Sequence, residues 1–100
     1  MSTSKERLFE RNVKRLSHAF MQCEIARDWP LAADALYHLA MEYRARYAGD
    51  IGEGRKAFMR DWSDLQDRPC LDYAWDAGHW WEGEPMEAVE KIAKWMSANL

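Results

Sequence analysis

DWPLAADALYHLAMEYRARY, residues 28–47, is the stretch on which the fold turns. Proline fits the first position of a helix and not its interior, so Asp28-Trp29-Pro30 closes what comes before and opens a new helix. At about 100° per residue, Trp29, Ala32, Ala33, Leu36, Leu39, Ala40, Tyr43 and Tyr47 then share one face, and Asp34, His38 and Glu42 lie on the outer side. Gly49 is the expected stop. The spacing therefore predicts one amphipathic helix over residues 30–47.

Upstream, Thr3 and Glu6 make a capping box, so a helix starts there. Its apolar face is Phe9, Val13, Leu16, Phe20 and Cys23; Arg7, Arg11, Lys14, Arg15 and His18 cluster opposite. The pattern fades near Arg27. So short a connection to the next helix implies an antiparallel hairpin.

Downstream, the run Gly49-Asp50-Ile51-Gly52-Glu53-Gly54 reads as the most flexible part of the chain, because each glycine in a helix costs about 1 kcal/mol. A third helix follows to about Gln66, with Ile51, Phe58, Trp62 and Leu65 inward. Arg68-Pro69 marks the next boundary. Over residues 69–82 the wheel puts Leu71, Ala74, Trp75, Gly78 and Trp81 on an apolar arc, Asp72, Asp76 and His79 opposite, and Tyr73 with Trp80 on the shoulder between. A last helix over residues 85–99 buries Met86, Val89, Ile92, Ala93 and Met96, with Trp95 at its edge.

No segment alternates with a period of two, and no repeat recurs at a fixed period. The expected fold is all-α: a compact bundle of about five short helices arranged as successive antiparallel hairpins, with residues 1–100 forming a single helical domain. One hundred residues, 48% of them hydrophobic, are enough for one core. Cys23 and Cys70 have no metal-binding or redox spacing and read as free thiols, which points to a reducing, cytoplasmic setting. No apolar run approaches the ~18 residues a membrane span needs. Glu6 and Glu10 interrupt the basic N-terminus, against a targeting peptide.

Charge is distributed unevenly. Residues 1–60 hold 11 Lys/Arg against 8 Asp/Glu, whereas residues 61–90 hold nine acids and only Arg68. Such asymmetry concerns partners and association rates.

The chemistry-bearing patterns are few. Asp34, His38 and Glu42 share one helix face, yet metal ligands in a bundle project inward from several helices, commonly with a Glu-x-x-His spacing that this chain lacks. His79 stands near Asp76 without a nucleophile motif. Gly49, Gly52 and Gly54 lack the Lys-Ser/Thr ending of a phosphate loop. Ala45 and Gly49 have helix-turn-helix spacing, but Asp50 and Arg55 occupy positions that should be apolar. No catalytic, cofactor-binding or metal-binding residue is expected, and no enzymatic activity.

Two surfaces remain. The acidic, aromatic segment offers Asp72, Tyr73, Asp76, His79, Trp80, Glu82 and Glu84 as contacts for a larger, basic protein: carboxylates steer the encounter and aromatics anchor it. A binder of this kind would inhibit by occupying a nucleic-acid-binding surface, by analogy with small proteins that phages encode against host defence. The alternative is a nucleic-acid-binding accessory protein using Arg7, Arg11, Lys14 and Arg15. Self-association of the oppositely charged regions is a further expectation.

Overall fold

In a computed structural model, α1 (Ser4–Ile25), α2 (Trp29–Arg46) and α3 (Ile51–Trp62) follow one another. Residues 71, 72 and 74–76 are helical and form α4, and α5 (Pro85–Asn99) comes last. The structure describes residues 3–62, 71, 72, 74–76 and 85–100, and every secondary-structure element among them is an α-helix. The fold is all-α. Its Cα radius of gyration, 12.9 Å, is that of a compact chain of this length. Among the described residues, no helix is long and apolar enough to cross a membrane.

The connection between α1 and α2 shows how the sequence sets the topology. The Arg27 N–H donates to the Glu24 carbonyl at 3.0 Å and the Asp28 N–H to the Cys23 carbonyl at 2.9 Å, the two bonds of a Schellman motif. Arg27 occupies the left-handed position of that motif, at φ 56°. Asp28 then caps the next helix, its Oδ1 accepting from the Leu31 N–H at 3.4 Å, with Pro30 in the first turn. Stop and start thus occupy adjacent residues, and the chain reverses. Three contacts confirm the direction: Glu6 meets Arg46, Phe9 meets Tyr43 and Asn12 meets Glu42, so one helix's numbers fall as the other's rise.

The α2 helix is the centre of the bundle. Besides the predicted face, Ala35 and Tyr37 are buried, because α1, α3 and α5 all pack on α2. Only a narrow strip, including Asp34 and His38, stays in water. The return of α5 to α2 makes this a bundle around one helix, more closed than a file of successive hairpins.

A line of aromatic rings joins four helices. Phe9 of α1 meets the Tyr43 ring of α2 edge-on at 5.1 Å, Tyr43 meets Phe58 of α3 at 5.3 Å, and Phe58 meets Trp75 of α4 at 5.5 Å. Such pairs add about 0.5–1.5 kcal/mol beyond their burial. The Tyr43 hydroxyl donates to Asp61 Oδ2 at 2.7 Å and accepts from Trp62 Nε1 at 3.1 Å, so the polar atoms of these two aromatic side chains are satisfied.

Three expectations need correction. Gly52 and Gly54 are not in a flexible loop but inside α3, which starts at Ile51 after Asp50 accepts the Glu53 N–H at 3.1 Å. Gly54 is buried, and a Cβ there would lie 2.9 Å from Tyr47 Cβ and 3.4 Å from the Trp75 ring, so its lack of a side chain lets α3 sit close to α2. Gly49 does not stop α2 through a left-handed turn: no glycine among the described residues has positive φ, and α2 closes at Tyr47, whose N–H donates to the Tyr43 carbonyl. Finally, Ile51 and Met86 are 38% and 67% exposed, while Ala88, unassigned to the core by the pattern, is fully buried with Ile92 and Met96. Leu65, Gly78 and Trp81 lie outside the described residues.

Candidate functional site

The best-defined surface feature is the outer face of α1. The capping box fixes its first turn, with the Glu6 N–H donating to Thr3 Oγ1 at 3.1 Å and the Thr3 N–H to Glu6 Oε2 at 3.3 Å. Twenty-two residues follow, about 33 Å of helix at 1.5 Å per residue. Leu16 and Phe20 are buried, with Phe9, Val13 and Cys23 packed against the core. Rotation about the axis is locked by the Asn12 amide, which donates to Glu42 Oε1 at 3.1 Å, and by Arg46 within 3.6 Å of Glu6.

With that face fixed, Arg7, Arg11, Lys14, Arg15 and His18 are all exposed on the opposite side. The row extends about 16 Å along the axis. Among the described residues, none of the four Arg/Lys side chains has a carboxylate within ion-pair distance. Glu10, also exposed, borders the row on one flank. Arg11, Lys14, Arg15, Ser17, His18 and Met21 line a shallow, open depression of about 510 Å³. A second depression, about 410 Å³, lies where the start of α1 meets the end of α2, beside Leu8, Phe9 and Ala45; the Glu6–Arg46 pair occupies its rim.

The acidic candidate is placed only in part. Tyr73, His79, Trp80, Glu82 and Glu84 lie outside the described residues. Asp72 and Asp76 are half-buried, and Asp72 pairs with an arginine of this same chain. Arg55 of α3 donates to Asp72 Oδ1 at 2.6 Å. Arg44 of α2 stacks 4.4 Å over the Trp75 ring and donates through Nη2 to the Trp75 carbonyl at 2.8 Å. Burial lowers the Arg44 pKa, and the negative charge of Asp76 opposes that shift. Sequence spacing could not have found either arginine, since each pairing is made by tertiary packing. Trp75 is core, as its wheel position predicts.

The remaining patterns are structural. His38 Nδ1 is 2.7 Å from the Asp34 carbonyl oxygen and 3.5 Å from its carboxylate, all on the exposed strip of α2. Glu42 turns away from them to accept from Asn12. Among the described residues, no group of three or more His, Cys, Asp or Glu converges as a metal site would require. Cys23 is a free, half-buried thiol, and Cys70 lies outside the described residues.

Comparisons with protein families, with curated proteins and with solved structures find no match to this chain.

Proposed function

We propose that this chain is a non-enzymatic binding protein that docks the cationic face of α1 on the phosphate backbone of a nucleic acid. The observation that carries this is the row Arg7, Arg11, Lys14 and Arg15: exposed, on one face of a fixed helix, and without a carboxylate at ion-pair distance among the described residues. Cations held near phosphates release condensed counterions, and that alone supplies affinity. A protein partner would want more than charge, because interface cores are built on aromatic and apolar anchors. From Arg7 to His18 this face carries no aromatic residue.

The test is fluorescence anisotropy with a labelled duplex at graded salt. Four phosphate contacts predict a slope of log K against log salt near −3.6, and each charge removed should lower it by about one. Arg11→Glu with Lys14→Glu should abolish binding at 50 mM salt while leaving the helical fold intact. Unchanged binding by that variant would refute the proposal, and tighter binding of polyglutamate than of duplex would reassign the partner to an acidic protein.

A second reading keeps the acidic segment as the contact for a larger, basic protein. It is favoured by nine carboxylates against Arg68 over residues 61–90. Internal pairing of Asp72 with Arg55 weighs against it. Affinity capture with Trp80→Ala and Tyr73→Ala variants tests it: these should keep their fold and lose the partner.

A further inference from the structure

The hydrogen bonding along α1 says what kind of nucleic acid the proposed site would take. We infer, resting on that nucleic-acid reading, that the cationic face of α1 holds double-stranded nucleic acid by its backbone alone, without regard to sequence, and discriminates against single strands.

Sequence readout needs free donors and acceptors that can reach base edges. Between Arg7 and Gln22 the uncharged polar side chains of α1 are Asn12, Ser17, His18 and Gln22, and each makes one bond within the chain. The Asn12 amide donates to Glu42 at 3.1 Å, on the side facing α2. The Ser17 hydroxyl donates to the Lys14 carbonyl at 3.0 Å. Gln22 Nε2 and His18 Nε2 are 3.1 Å apart, so the amide nitrogen is turned to the ring one turn below it. Arginine itself can read guanine, but recognition helices present the residues of their N-terminal turns to the groove floor. Here those turns carry Glu6, tied to Thr3 and Arg46, and exposed Glu10, so their entry into a groove would set carboxylates between phosphates. The helix is suited to lie along the backbone.

Preference for a duplex follows from what the face lacks. Single-strand binders gain much of their affinity by stacking bases on aromatic side chains. The two aromatics of α1, Phe9 and Phe20, are turned into the core, where Phe20 is 2% exposed and Phe9 meets Tyr43. What remains is a row of charges. A duplex, with about one charge per 1.7 Å of axis, meets such a row at higher charge density than a single strand does.

The experiment uses the full chain and four labelled oligonucleotides of equal length: an AT-rich duplex, a GC-rich duplex, a mixed duplex and its separated strand. All are titrated at 50 mM salt, with Arg11→Glu/Lys14→Glu as the control. The expected result is three duplex affinities within about threefold of one another, at least fivefold tighter than the single strand, and all lost in the control. Tenfold preference for one duplex, or equal or tighter binding of the single strand, overturns the inference and leaves the broader reading standing. No binding of any oligonucleotide, or binding that survives in the control, removes that broader reading, and the inference with it.

Discussion

Gly54 provides a test of the packing in which two neighbouring substitutions should have opposite signs. Alanine at a helical glycine gains up to about 1 kcal/mol from propensity and a smaller unfolded ensemble. At Gly52, in the first turn of α3, a Cβ would sit 3.5 Å from Asp50 Oδ1, an ordinary contact, so Gly52→Ala should stabilise by about 0.5 kcal/mol. At Gly54 the same Cβ meets Tyr47 Cβ at 2.9 Å, with the Tyr43 carbonyl and the Trp75 ring each at 3.4 Å. Tyr47 Cβ is the root of its side chain and moves only with the α2 backbone. Overpacking of this kind costs about 1–3 kcal/mol. Set against a gain of about 1 kcal/mol, it leaves Gly54→Ala less stable by about 1 kcal/mol. Urea unfolding followed by circular dichroism measures both, the shift in midpoint at constant slope giving the difference. If Gly54→Ala stabilises as much as Gly52→Ala, then α3 does not approach α2 as closely as drawn, and the role given to Gly54 fails.

Arg27 holds a left-handed backbone at φ 56°, which costs a non-glycine residue about 1–2 kcal/mol. Arg27→Gly should therefore raise stability by about 0.5–1 kcal/mol after the entropy of the unfolded glycine is subtracted, read as a higher urea midpoint. Tyr43→Phe removes the acceptor of the buried Trp62 Nε1–H and should destabilise by about 1–3 kcal/mol in the same assay. Burial first, and then the hydrogen bond to Asp61, raises the Tyr43 pKa above its ordinary 10.0. Above pH 10 the unfolded chain accordingly loses this proton before the folded one, and stability falls as pH rises; the fall should be shallower in Tyr43→Phe, measured by urea midpoints from pH 8 to 11. Light scattering at low salt should report a monomer, since Arg55 already compensates Asp72; a salt-sensitive dimer would instead make a second copy the occupant of the cationic row.

What could be read from sequence was what local chemistry decides. The capping box, the Asp28-Trp29-Pro30 restart and the start of α5 at Pro85 each depend on residues within a few positions, and each stands where the spacing put it. The cationic row was legible for the same reason, as charges three and four apart opposite an apolar face. Gly54 was misread because composition reports what glycine costs a helix and not what a close neighbour requires of it. Met86 and Ala88 exchanged roles because a wheel gives relative angles, while the partner surface chooses which arc is buried. The internal pairing of Asp72 with Arg55 spans 17 positions, and no spacing rule reaches that far.

The net charge of −3 is a poor guide to what a partner of α1 would feel. Among the described residues α1 packs on α2 alone, while α3 and α5 pack on the same α2, so Glu53, Asp61, Glu87 and Glu90 are separated from the cationic row by a layer of helix and share their own helices with lysines and arginines. Such a layer is about 8–10 Å across, comparable to the Debye length of about 8 Å at physiological ionic strength. An anion approaching the row there meets Arg7, Arg11, Lys14 and Arg15 with Glu10 at their flank and the more distant acids largely screened. At 0.01 M the screening length grows to about 30 Å, longer than the molecule is thick at 22 Å, and the net charge of −3 of the whole chain is felt. The logarithm of the affinity for duplex should therefore rise linearly with falling log salt toward 50 mM and then flatten as the net negative charge of the chain opposes the row. A plot that stays straight down to 10 mM would mean that the net negative charge of the chain exerts no field at α1 and has no bearing on binding.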